Sequence, residues 1–166
     1  MGRLGIDDLE DLSVARLGAA GIAELLETAT EATLVFAGPD GWPMGVVVSF
    51  VHDEDRFWVT AVEGRGHTLG VQRDARVSLV ISSSGTTLAG RRMVALRGTA
   101  LVHAGESTKR EALPKLAARL APDDPEAMLR LLDSPKRVVI EIRPVAVSAS
   151  HDSRRIAGDG RGGGET

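Results

Sequence analysis

The chain has 166 residues, of which 43% are apolar and 26% charged, and carries a net charge of -3 at neutral pH. This is one globular domain with enough chain for a real core, and its acidic balance excludes the basic face that a nucleic-acid binder needs. Without cysteine, disulfides, thiolate catalysis and Cys-based metal sites are excluded; no apolar run reaches the roughly 18 residues of a membrane span, and the expected setting is cytoplasmic.

Residues 1–15, with the acidic run Asp7-Asp8-Leu9-Glu10-Asp11, read as a solvated flexible leader. The domain proper is expected over 16–155. Ala19 to Ala29 places Ile22, Leu25 and Leu26 at helical spacing and predicts a short amphipathic helix. A strand follows at Thr33–Ala37, then the turn signal Pro39-Asp40-Gly41. Met44–Val51 is a near-continuous apolar run with three β-branched residues at its centre, Val46, Val47 and Val48. It predicts a strand buried on both faces. Asp53-Glu54-Asp55 turns the chain into a third strand, Phe57–Thr60.

Thr68–Arg73 is expected to form one or two helical turns, and Arg76–Ser82 a strand with Val77, Leu79 and Ile81 on one face. Ser83–Gly90 is a Ser/Thr/Gly loop. Met93–Val102 alternates as a long strand, with Gly98 marking a bulge or a close backbone contact. Ser107–Leu120 reads as a helix capped by Ser107 and Pro125–Leu132 as a second. Lys136–Val147 is the last strand, and Pro144 predicts an edge or a bend there. Residues 156–166 form a Gly-rich tail. Its glycines follow no strand and open no helix, so a dinucleotide-binding loop is not indicated. Six strands joined mostly by short turns, with few helices, predict a mainly β fold. The expected form is a six-stranded antiparallel split barrel of Greek-key type with flanking short helices.

The chemistry concentrates at Gly64-Arg65-Gly66-His67-Thr68. Glycines admit a ligand close to the backbone, a helix start offers free N–H groups, and a guanidinium binds two oxygens at once. That combination suits an anion, and a phosphate is the expected one. The four histidines lack metal-ligand spacing, and Ser82-Ser83-Ser84-Gly85 is no nucleophile elbow. Arg91-Arg92-Met93 is a second basic spot at the start of a strand.

In order and spacing, several stretches together resemble the pyridoxamine 5'-phosphate oxidase-like flavin-binding split barrels. They are Gly41-Trp42-Pro43 with the valine strand, Phe57-Trp58-Val59-Thr60-Ala61, Arg65-Gly66-His67, Arg73 to Leu79, Arg92 to Ala100, and Pro144 to Ser148 with His151-Asp152. The resemblance spans about Ala23 to Ile156 and is to the small FMN or deazaflavin reductase group.

It implies a homodimer with a flavin at the subunit interface, FMN or alternatively the deazaflavin coenzyme factor 420, and hydride transfer to or from a small-molecule substrate. A non-catalytic flavin- or haem-binding module on the same barrel is the other function it admits. Thr60, Arg65 and Thr68 match phosphate-contacting positions, with Gly66 between them, and His67 stands where many relatives carry lysine. Val46, Val47 and Val48 match the strand along the flavin ring, and Trp58 and Val59, on the matching third strand, are expected to line the cofactor site with them. Arg92 and Met93 match a position that reaches the cofactor from the other subunit. The resemblance implies no acid or base residue, so the catalytic position is left open.

Overall fold

The computed structural model describes residues 15–155. They form helix α1 (Ala19–Thr28), strands β1 (Glu31–Ala37), β2 (Pro43–Asp53) and β3 (Arg56–Val62), and helix α2 (Gly66–Arg73). Strands β4 (Arg76–Ser82) and β5 (Arg92–His103), helices α3 (Glu106–Leu120) and α4 (Pro125–Leu132), and strand β6 (Arg137–Asp152) complete the order. The strands close into a barrel in the order β1-β2-β3-β6-β5-β4, every pairing antiparallel. The expected leader and tail lie outside the described residues, apart from Ala15, which is buried.

Period-two alternation places the core. Leu34 and Phe36 of β1, Phe57, Val59 and Ala61 of β3, Val77, Leu79 and Ile81 of β4, and Val138, Ile140 and Ile142 of β6 share one interior. Leu25 and Leu26 of α1 and Val71 of α2 pack into the same cluster, so these two helices are fixed to the barrel by their apolar stripes. The outward side of β3 and β6 builds a second core: Trp58 and Val139 lie under Ala112, Leu113 and Leu116 of α3 and Leu132 of α4. Each fully buried aliphatic or aromatic side chain contributes about 1.5–3 kcal/mol to the fold.

Glycine sets two close approaches. A Cβ at Gly98 would stand 2.7 Å from the carbonyl oxygen of Arg143. The β5–β6 register shifts between Arg97 and Gly98, opposite Pro144, which has no N–H to give the ladder. Pro144 marks both a bend and a one-sided stretch: β6 pairs with β3 only over Arg137–Ile142, and from Arg143 onward with β5 alone. A Cβ at Gly70 would stand 2.3 Å from Cδ2 of Phe36, so glycine is what lets α2 lie against β1.

Two expectations are corrected. Ser107 does not cap α3: the helix starts one residue earlier, at Glu106, with Gly105 at the cap position and no side-chain cap. Nor is β2 buried on both faces. Phe50 and Val48 point inward, but Val47 is 62% exposed and Met44 45%. An apolar outer face carries the same sequence signature whether or not anything covers it. Val145 and Val147 of β6 are exposed on the outside as well. The outer sides of β2 and β6 thus both present apolar side chains that no described residue covers.

Candidate functional site

The barrel is closed but notched. The β2–β3 ladder runs only over Phe50–Asp53 and Arg56–Val59. Before it, residues 43–49 of β2 pair with β1 alone. After it, Thr60, Ala61 and Val62 of β3 pair with β6 alone. The facing edges of these two segments diverge, and among the described residues their N–H and C=O groups have no strand partner across the gap. Such edges need another partner, whether water, a ligand or a second chain.

The turn after β3 leads from this notch. Gly64 takes φ +79°, a conformation that favours glycine. Arg65 is the residue before α2, with extended backbone and an exposed side chain. Its carbonyl accepts from the Thr68 hydroxyl at 2.7 Å and from the Leu69 amide at 3.0 Å. The amides of Gly66, His67 and Thr68, in the first turn of the helix, have no acceptor within it. A Cβ on Gly66 would meet nothing within 4 Å, so the approach to these amides is open. Helix-start amides and a free guanidinium at one point make a site for an anion.

His67 sits beside them, half-buried, its ring edge-on to Phe36 at 6.3 Å between centroids. Burial, and then the positive charge of Arg65, lower its pKa below 6.5. At neutral pH it is an uncharged imidazole, able to donate or accept a hydrogen bond but not to add charge.

The other residues named from the sequence divide into those that border the notch and those that do not. Val46 is half-buried and Val47 exposed on the free stretch of β2; Val48 turns its side chain into the barrel and leaves only backbone at the surface. Thr60 borders the notch, with its hydroxyl donated to the Val138 carbonyl at 3.1 Å. Thr68 is 1% exposed and its hydroxyl is committed to the Arg65 carbonyl, so it shapes the turn. Val59 points into the barrel core and Trp58 is fully buried under α3 and α4; neither side chain can face a ligand.

Arg92, expected to reach out to a partner's cofactor, does the opposite. It is 3% exposed, pairs with Glu24 of α1 at 2.5 Å and donates to the Ala89 carbonyl at 3.2 Å. The inward face of β5 begins at this residue, so its side chain follows Val94 and Leu96 toward the interior and needs an anion there. Met93, half-buried, sits across from Ser82 and His151.

One polar cluster went unread in the sequence. Glu141 of β6, 8% exposed, accepts from His103 of β5 at 2.9 Å and from Arg143 at 2.8 Å, with Arg56 at 3.8 Å. Burial raises its pKa, but these donors outweigh burial and the carboxyl lies below its ordinary value. The residues come from three strands, and only the register brings them together. Among the described residues no group of three or more His, Cys, Asp or Glu could hold a metal ion, and no helix is long and apolar enough to cross a membrane.

The barrel order, the notch and the helix-start turn can be set against known proteins. The family model described as pyridoxamine 5'-phosphate oxidase matches residues 20–151. The chain belongs to this family. No match is found among curated proteins. Solved structures share the split-barrel fold at low identity. A conserved hypothetical protein of Mycobacterium tuberculosis superposes with a TM-score of 0.70 at 20% identity, over 86% of this chain and 89% of its own. An F420 reductase superposes at 0.58 with 23% identity, over 75% and 94%. A haem storage protein of Vibrio cholerae superposes at 0.61 with 14% identity, over 81% and 93%. The pyridoxamine 5'-phosphate oxidase-like split barrel is thus the frame of this chain.

Proposed function

We propose that the protein is a homodimeric, FMN-dependent oxidoreductase of the split-barrel type, acting on a small molecule. The observation that carries this reading is the convergence of two features: unpaired strand edges along the notch, and a helix-start turn beside it that bears Arg65 and the unobstructed Gly66. In this reading Arg65 and the first amides of α2 hold the phosphate, with His67 as a neutral hydrogen-bonding neighbour. The free stretch of β2 at Val46, Val47 and Val48 lies along the ring with its backbone and the exposed Val47 side chain, and Thr60 borders it. Bound there, a flavin would supply hydride exchange at its N5 position; the protein's part is to bind, orient and shield. The exposed apolar flank at Val47, Val145 and Val147 supports a second copy as the cover.

His67 favours a second reading. A neutral imidazole where a fixed charge would strengthen phosphate binding suits a site tuned to another cofactor, and the deazaflavin coenzyme is the alternative that the likeness to an F420 reductase supports. The purified protein's absorbance separates the readings. An oxidised-flavin spectrum supports FMN, a Soret band supports a haem-binding module, and a colourless protein that binds the deazaflavin on titration supports the second reading. For FMN, Arg65→Ala should raise the Kd at least tenfold, about 1.5–3 kcal/mol for a charge-assisted contact. An unchanged Kd removes Arg65 from the site.

A further inference from the structure

The chain has two tryptophans. Trp58 is fully buried, whereas Trp42 is 72% exposed at the tip of the β1–β2 hairpin. A large apolar ring left in water on a rigid turn is a feature that calls for a partner. The turn is rigid by construction. The Gly38 amide donates to the Trp42 carbonyl at 2.7 Å, the Trp42 amide donates to Asp40 Oδ1 at 3.2 Å, and Gly41 takes φ +83°.

Immediately beside it lies a groove of about 530 Å³, bordered by Gly41 and Pro43, the two neighbours of Trp42. Its walls include Val35, Val145, Arg76 and Arg97. The indole does not fold back into this groove. Arg76 is held by Asp74 at 2.6 Å. Arg97 makes no ion pair among the described residues and presents a guanidinium suited to an aromatic face.

We propose that Trp42 of each protomer inserts into this groove on a second copy of the chain, as a reciprocal pair of knobs and holes. The inference rests on the homodimer reading above and adds the residue that holds the two copies in register. A knob and a hole side by side on one face are what a two-fold axis requires, since the same patch must serve both partners. Each aromatic ring covers roughly 150–250 Å². Two insertions, counting ring and groove, cover roughly 600–1,000 Å², a large part of the ~1,200–2,000 Å² of a stable interface. Val145 and the neighbouring Val147, both exposed, extend the same apolar face. Arg97 stacked on the indole gives the contact a direction that apolar burial alone lacks.

The test uses the full chain without added cofactor. Light scattering gives the oligomeric state, and acrylamide quenching reports Trp42, because Trp58 is sealed in the core. The expected result is a dimer in which both tryptophans resist quenching. Trp42→Ala should raise the dimer dissociation constant at least tenfold, with Trp42→Phe retaining part of the affinity and Arg97→Ala losing less than Trp42→Ala. A dimer whose emission is half quenched, and in which Trp42→Ala associates as tightly as the parent, overturns the insertion while leaving the homodimer intact. Shielding of Trp42 only after FMN is added also overturns it, since the ring would then stack on cofactor. A monomer at micromolar concentration overturns both the insertion and the dimer.

Discussion

Gly70→Ala tests how α2, and with it the turn at Arg65, is held against the barrel. Gly70 is the fifth residue of the eight in α2, so alanine should gain up to about 1 kcal/mol of helix propensity. The structure opposes that gain. The new methyl would stand 2.3 Å from Phe36 Cδ2, 2.9 Å from Cε2 and 3.1 Å from the Ala37 carbonyl oxygen, where carbon atoms normally keep about 3.5–4.0 Å. Phe36 is 5% exposed in the barrel core and has no outward escape, so the helix must lift. Overpacking of this kind costs about 1–3 kcal/mol, and the clash is at the severe end. The expected net loss is about 1–2 kcal/mol, which for a domain of this size lowers Tm by roughly 3–8 °C. Thermal unfolding followed by circular dichroism, at one fixed protein concentration, reads it directly. Gly66→Ala in the same helix is the control: with nothing within 4 Å it should stay within about 0.5 kcal/mol of the parent. Adding Phe36→Leu to Gly70→Ala should cost less than the sum of the two, because the methyl then has room. A Gly70→Ala protein as stable as the parent would refute the close packing of α2 on β1.

Three further outcomes follow from the site. Glu24→Ala, at an exposed position, should destabilise by about 1–3 kcal/mol because it strands the buried Arg92, while FMN affinity stays unchanged; a loss under 0.5 kcal/mol in urea unfolding would show that Arg92 is satisfied without it. His67→Lys should tighten FMN binding and flatten its pH dependence, since the parent imidazole charges only below its lowered pKa and a lysine is charged throughout. Titration at pH 6 and 8 checks this, and an equal pH slope in both proteins would remove His67 from the phosphate site. Stability itself should fall with acid. His52 and His67 both have folded pKa values below 6.5, so the unfolded chain binds protons first and stability declines as pH drops through 6.5. Urea midpoints from pH 8 to 5 measure the decline, which a His67→Asn, His52→Asn pair should reduce.

Much of the barrel could be read from alternation. Val77, Leu79 and Ile81 on β4 and Val94, Leu96 and Gly98 on β5 announce one buried face each, and the register bears this out. Gly98 announces its bulge because a glycine inside a strand has few other reasons to be there. The failures have a common cause. Whether an apolar outer face such as Val47 is covered depends on what lies over it, which no local pattern states. Arg92 reads as a basic spot free to reach a cofactor because its partner, Glu24, stands on a helix far back in the chain. Trp58 looked like part of a ligand wall, but its position on the outward face of β3 puts it under α3 and α4, whose docking place the sequence does not declare. His103 and Glu141 become neighbours only once β5 and β6 are paired in register. Arg65, Gly66 and the start of α2 were legible because their geometry is local.

The long last strand also sets the timetable of assembly. β6 ends the second three-strand meander and closes the barrel that the β1–β4 pairing begins, pairing with β3 along its first half and with β5 along nearly its whole length. Until it has left the ribosome, β3 and β5 each carry a bare edge, and the interior that Val138, Ile140 and Ile142 complete stands open. Closure is therefore a late, long-range event, slow by its topology, and the interval before it is when the growing chain most needs a chaperone.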